Sequence, residues 1–218
     1  MLTLYGAYRS RASRPLWLLA ELGLPFTHIP VIQAYRLPNP DAPDAPFNTA
    51  SPAFLAINPQ GQIPAMTDGD LTLTESLAIT QHIARTYGAT LGPANPTEAA
   101  LFDQWAFFAA TSIETPALDI LYTITGGLAE TPNGATTITT AAEKLSRPLA
   151  RLEAHLQTQP YLLNRFTAAD IMVAECLRYA QDHAPLMDAH PATSRWLAQC
   201  QSRPAFQTMW ANRLNEPS

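Results

Sequence analysis

Charge is scarce in this chain. Asp, Glu, Lys and Arg make up 14% of its 218 residues, against roughly a quarter in an average soluble domain. The balance is acidic, with a formal charge of −5 at pH 7 and a pI of about 5.5. That argues against nucleic acid as the main partner. Cys176 and Cys200 are the only cysteines, too few for the disulfide framework of a small secreted domain. No segment approaches the roughly 20 uninterrupted apolar residues of a membrane span. The opening MLTLYGAYRSR has no basic start followed by a long apolar run, so no signal peptide is expected and the location reads as cytoplasmic. The five histidines, His28, His82, His155, His183 and His190, sit in different predicted elements without ligand spacing. No metal site is expected from them, and structural roles fit better.

Apolar residues, by contrast, make up 47% of the chain, enough for one large or two small domains with a substantial core. Met1–Tyr5 reads as a strand and Leu16–Leu22 as a helix closed by Gly23. Phe26–Ile32 alternates like a second strand, and the β-α-β order predicts a parallel pair with a crossover helix. Residues 38–52 hold five of the twenty prolines and read as an irregular surface loop. Phe54–Ile57 is expected to be a short helix. Asn58-Pro59-Gln60-Gly61 is a turn, and Asp68-Gly69 marks a hairpin between AlaMetThr and LeuThrLeu. Leu77–Tyr87 is helical, closed by Gly88. The order is that of a thioredoxin-like half-barrel. Ala89–Pro96 reads as a linker. Thr97–Thr111, Thr139–Gln157, Ile171–Ala180 and Thr193–Gln201 then carry helical spacing. Gly126–Thr136 reads as a loop, and Arg203-Pro204 as a helix stop.

Three places carry candidate chemistry. Between the first strand and helix, Ser10 and Ser13 stand where a thioredoxin-type fold would place a Cys-x-x-Cys pair. Dithiol exchange needs a thiolate, so it is excluded at this spot. A serine hydroxyl can still donate to a ligand's thiolate and lower the thiol's pKa from its free value of about 8.5. The helix N-terminus, Arg11 or Arg14 would act in the same sense. Pro15 belongs in a first helical turn, which makes Ser13 a candidate N-cap and Ser10 the freer hydroxyl, although both can be plain turn and capping serines. At the second place, Gln62-Ile63-Pro64, a cis bond before Pro64 would leave the backbone of Ile63 outside the sheet, available to a peptide-like ligand. At the third, Glu75-Ser76, a carboxylate and a hydroxyl meet the N–H groups of a starting helix, suited to a zwitterion or simply to capping. Cys176 reads as core. Trp105, Phe107 and Phe108 can line a pocket, or pack as core.

In combination, LYGAYRSRASRPLWLLAELGLPF and NPQGQIPAMTDGDLTLTESLAI resemble the N-terminal domain of cytosolic glutathione transferases over about residues 1–87. RSRAS is similar to the stretch RSSCS of zeta-type members, with Arg11 and Ala12 departing from it, so the resemblance is to a serine-type, theta/zeta-like bacterial-style member. It implies an α/β plus all-α fold: a thioredoxin-like glutathione-binding domain over 1–87, a linker over 88–96, and an all-helical domain over 97–218 forming the electrophile site. By the same resemblance Ser10 would hold the glutathione thiolate and Pro64 would be the cis-proline. Ile63 would pair through its backbone with the cysteinyl unit, Glu75 and Ser76 would bind the γ-glutamyl end, and Gln62 would contact the same tripeptide. Phe166-Thr167-Ala168-Ala169-Asp170-Ile171 looks like the family's capping box, a folding feature. Asp103 and Gln104 lie where some members reach a dimer partner's glutathione. The implied activity is conjugation of glutathione, as co-substrate and without metal, to small apolar electrophiles by a cytoplasmic homodimer. Alternatives are a glutathione-dependent cis-trans isomerase of maleyl-type keto acids and a non-catalytic glutathione-binding or regulatory protein on the same fold.

Overall fold

The computed structural model describes residues 1–216. Two compact units result: Met1–Ala89 together with the segment that begins at Pro204, and Thr90–Arg203.

The first unit is built on a four-stranded sheet of order β2-β1-β3-β4. Strand β1 (Leu2–Tyr5) pairs in parallel with β2 (Thr27–Ile29) and antiparallel with β3 (Ala65–Asp68), which pairs antiparallel with β4 (Leu71–Thr74). The parallel pair is joined by helix α1 (Ser13–Leu22), as a crossover connection requires. Gly23, at φ 58°, ends α1, its N–H bonding to Ala20 and Leu19 carbonyls. A residue with a Cβ would be strained there. The hairpin register pairs Asp68 with Leu71. Gly69, at φ 59°, is therefore the first of two loop residues, the place a tight hairpin most needs glycine.

The second predicted strand is shorter than its alternating pattern, because Pro30 removes a ladder donor. Beyond it Ile32 makes only an isolated parallel bridge to Asn48. The proline-rich segment is irregular but pinned by Asn48, which is 1% exposed. Its side chain donates to the carbonyls of Pro40 and Pro46 and accepts from the Ala50 N–H. Short helix α2 (Pro52–Leu55) follows. Val31, Phe54 and Ala65 form a core into which Phe47, Ile57 and Ile63 pack. Helix α3 (Ser76–Tyr87) follows β4 directly.

The second unit is helical. Helix α4 (Pro96–Phe108) runs through π-type turns at Ala109–Glu114 into α5 (Thr115–Thr125). Helices α6 (Pro132–Leu156), α7 (Ala168–Leu177), α8 (Ala184–Asp188) and α9 (Pro191–Gln201) follow. The start of α6 overturns a loop reading. Pro132 sits in the first turn, Thr131 caps the Gly134 N–H, and a Cβ on Gly134 would lie 1.8 Å from the Leu128 carbonyl. Proline and glycine here serve a helix start and a close approach rather than a break. The capping box at Thr167 and Asp170 forms as expected. Asp170 also accepts from the Leu162 N–H and the Trp196 indole N–H, and its burial pushes the carboxyl up to about 6. Cys176 and Cys200 are fully buried. Among the described residues no helix is long and apolar enough to cross a membrane.

The helix stop expected at Arg203-Pro204 holds, since α9 ends at Gln201, and Pro204 then opens a further helix. Helix α10 (Pro204–Asn215) packs on α1, with Trp17 edge-on to Phe206 at 4.9 Å. By its contacts this last helix belongs with the sheet, not with the helical region 97–218 of the sequence reading.

Candidate functional site

The site grows from the end of the β3–β4 ladder. Ala65 pairs with Thr74, so the residues just outside the pairing are Ile63 and Pro64 on one side and Glu75 and Ser76 on the other. The four leave the sheet side by side, which the sequence alone does not show. The Ile63–Pro64 bond is cis. The Ile63 side chain packs on the core, while its backbone lies past the last ladder bond and free of it. Gln62 precedes it on the surface, its carbonyl accepting from buried Asn58 at 2.6 Å.

Glu75 is the N-cap of α3, at φ 68° and ψ 111°, and its carboxylate caps no helix N–H. A non-glycine residue there carries strain on the order of 1–3 kcal/mol. The plain capping reading of Glu75 therefore fails. The backbone turns abruptly and leaves an exposed carboxylate at the positive end of a helix, where an ammonium group would find a partner within reach of the α3 N–H groups. Ser76 is 4% exposed. Its hydroxyl oxygen accepts from Arg14 Nη1 at 2.8 Å, which leaves its proton to donate.

In the sequence Arg14 reads only as a nearby charge. It is 1% exposed and ties the first turn of α1 to the start of α3 across 62 residues. No local pattern predicts such a pair. Gly6 brings in the loop between β1 and α1: a Cβ there would lie 2.7 Å from that of Ala12 and 3.6 Å from that of Pro64. The end of β1, the start of α1 and the cis-proline thus meet at one backbone position.

The serines divide differently from the capping argument. The N-cap of α1 is Ala12, with no side-chain cap. Ser13 is the first helical residue and fully buried. Ser10 is only partly buried, but its hydroxyl is engaged, donating to the Ala7 carbonyl at 2.6 Å and accepting from the Ala12 N–H at 3.0 Å. The expected N-cap at Ser13 and free hydroxyl at Ser10 are corrected together, because the loop closes on itself through Ser10. Two residues before it, Tyr8 is held by burial above the usual phenol range, an effect that a hydrogen bond with Asn212 opposes and Glu216 adds to.

The histidines have structural partners. His28 meets the Gly6 carbonyl, His82 meets Asp68 at 2.8 Å, and His190 meets the Leu186 carbonyl. Among the described residues no cluster of three or more His, Cys, Asp or Glu could hold a metal. Asp103 and Gln104 lie on α4, Gln104 exposed. Trp105 and Phe108 are core, edge-on at 5.4 Å, while Phe107 is 67% exposed.

Comparison with known proteins places the chain in a family. Residues 4–94 match the glutathione S-transferase N-terminal domain family and residues 81–199 the corresponding C-terminal domain family. Glutathione S-transferase 1 of Zea mays is 35% identical over 77% of this chain and 80% of its own. The structure of glutathione transferase F7 from Populus trichocarpa superposes with a TM-score of 0.80 at 30% identity, covering 98% of this chain and 99% of that one. A theta-class glutathione S-transferase from Xanthomonas axonopodis pv. citri, solved with glutathione bound, gives a TM-score of 0.73 at 28% identity over 95% of each chain. The sequence relatives are plant phi-type proteins and lend no support to the theta/zeta-like, bacterial-style subtype. The chain belongs to the glutathione S-transferase family, as an enzyme with a thioredoxin-like domain followed by a helical one.

Proposed function

We propose that this enzyme binds glutathione along the edge formed by Gln62, Ile63, Glu75 and Ser76, holds its thiolate with Ser10, and transfers it to small apolar electrophiles. The observation that carries the reading is the shared exit of Ile63-Pro64 and Glu75-Ser76 from the β3–β4 ladder. It offers a peptide backbone on one side and a carboxylate with a hydroxyl on the other, a match to the cysteinyl and γ-glutamyl parts of one tripeptide. Ile63 pairs with the cysteinyl amide, Glu75 with the ammonium and Ser76 with the carboxylate.

Ser10 supplies the hydroxyl for sulfur. Its proton points to the Ala7 carbonyl, and a turn about one bond redirects it to a thiolate while the oxygen keeps the Ala12 N–H. A hydroxyl that already accepts a hydrogen bond is a stronger donor, and donation to the charged sulfur lowers the thiol pKa. Catalysis then rests on thiolate formation and proximity, without a protein nucleophile. The electrophile is held by residues of the helical unit, and the enzyme works without metal, in the cytoplasm and as a homodimer, the last open to sedimentation.

Ser10→Ala tests the central claim. The bound glutathione thiol, followed by thiolate ultraviolet absorbance, should titrate near its free value of about 8.5, with conjugation of a chloro-nitrobenzene reduced and glutathione affinity nearly kept. An unchanged thiol pKa removes Ser10 from the mechanism. Turnover of a maleyl keto acid in place of the aromatic substrate would move the reaction class to isomerisation.

A further inference from the structure

The loop between β1 and α1 is held from outside. Tyr8 and Arg9, the two residues before Ser10, direct their backbone groups to side chains far off in sequence. The Tyr8 and Arg9 N–H groups donate to the two carboxylate oxygens of Glu216, each at 2.7 Å. The Tyr8 carbonyl accepts from Arg213 Nη1 at 2.6 Å, and the Arg9 carbonyl accepts from Gln33 Nε2 at 3.3 Å. The exchange is reciprocal. The Arg9 guanidinium donates from Nε to the Arg213 carbonyl and from Nη2 to the Leu214 carbonyl, closing the end of α10, where a cation suits the helix dipole.

We propose that Glu216, assisted by Arg213, is a positioning residue for thiolate activation: its carboxylate grips two consecutive backbone N–H groups and thereby fixes the turn that presents the Ser10 hydroxyl. This rests on the reading of Ser10 as the thiolate partner. The physical chain is short. A carboxylate bonding two N–H groups is a charge-assisted, bidentate contact. It fixes the peptide planes on either side of Tyr8. The first of these planes carries the Ala7 carbonyl, which shares the Ser10 proton. Loosening the grip lets that carbonyl and the hydroxyl drift together, so the hydroxyl stays on the carbonyl instead of turning to sulfur. Ile63, Glu75 and Ser76 lie on other segments and keep the tripeptide.

The test uses the full chain with Glu216→Gln, whose amide nitrogen cannot accept the second N–H, and separately Arg213→Ala and Ser10→Ala. Each is titrated with glutathione bound and assayed for conjugation from neutral to alkaline pH. Glu216→Gln should raise the bound thiol's pKa by about half a unit to one unit, a loss of thiolate that reaches roughly three- to tenfold at pH values below that pKa. The loss should appear in kcat with the KM for glutathione little changed, and should vanish at alkaline pH, where the thiolate forms unaided. Glu216→Asp, which keeps the charge, should recover part of the effect, and Arg213→Ala should show a smaller shift of the same sign. A rate loss equal at every pH, or an unmoved thiol pKa in Glu216→Gln, overturns the proposal. If Ser10→Ala also leaves the thiol unmoved, the Ser10 reading itself falls. If Ser10→Ala shifts it and the Glu216 and Arg213 variants do not, only the grip falls.

Discussion

At the scale of single residues, one position of the candidate site is poor for folding. Glu75 sits at positive φ, where glycine would be relaxed. Glu75→Gly should therefore leave stability unchanged or raise it by up to about 1 kcal/mol, strain relief being partly offset by backbone entropy. Calorimetric titration should show that it costs at least tenfold in glutathione affinity. Gly6 is the opposite case. Its absent side chain lets Ala12 and Pro64 approach, and Gly6→Ala should destabilise by about 1–3 kcal/mol through overpacking, measured by urea denaturation. Both residues were visible in the sequence as letters, but not for what they do. Glu75 read equally well as a cap, and Gly6 carried no signal beyond following a strand. The sequence offers Ser10, Gln62, Ile63, Glu75 and Ser76 as candidates, and the ladder brings Ile63 and Glu75-Ser76 to one end of the sheet. What was not legible was Arg14 on Ser76 or Glu216 on Tyr8, because those bonds span 62 and 208 residues and leave no periodicity behind.

At the scale of elements, two carboxylates tie segments together and respond to acid with opposite sign. Asp68, at the end of β3, accepts from His82 and Tyr87 of α3, and these bonds, His82 first, hold it below the usual carboxylate range. Its folded pKa lies below its unfolded one, so its contribution is present at neutral pH and is lost as pH falls through the carboxylate range. Asp170 is the reverse. Burial lifts it from 3.8 to about 6, so between those values the native state binds the extra proton. The stability tied to this group is full below about pH 4 and declines as pH rises through 6. Asp170→Asn should flatten that part of the stability–pH curve in denaturant titrations from pH 4 to 7. Asp170→Ala, which strands the Leu162 and Thr167 N–H groups and the Trp196 indole, should cost about 3–5 kcal/mol. Strands, hairpin and capping box were legible because period, glycine and the T-x-x-D pattern act locally. The starts of α6 and α10 were not, because proline reads as a breaker until its place in a first turn is known.

At the scale of the whole molecule, the sheet-bearing unit is discontinuous in sequence. Helix α10 covers α1 with Phe206, 4% exposed, and Met209, 1% exposed. Burying each such side chain contributes about 1.5–3 kcal/mol, so a polypeptide of residues 1–89 alone should lack cooperative unfolding and near-ultraviolet ellipticity. Adding residues 204–216 as a separate peptide should restore part of both. Nothing in the composition marks α10 for the first unit, since its membership lies in what it touches. The two buried cysteines bear on how this enzyme meets its own substrates. If the enzyme handles electrophiles as proposed, it offers them no cysteine thiol of its own in the native state, as both thiols are wholly covered. Alkylation of either thiol by any small reagent should therefore wait on opening of the helical unit. The rate at which Cys176 and Cys200 become labelled then serves as a clock for that opening, slowed by anything that tightens the fold and indifferent to turnover itself.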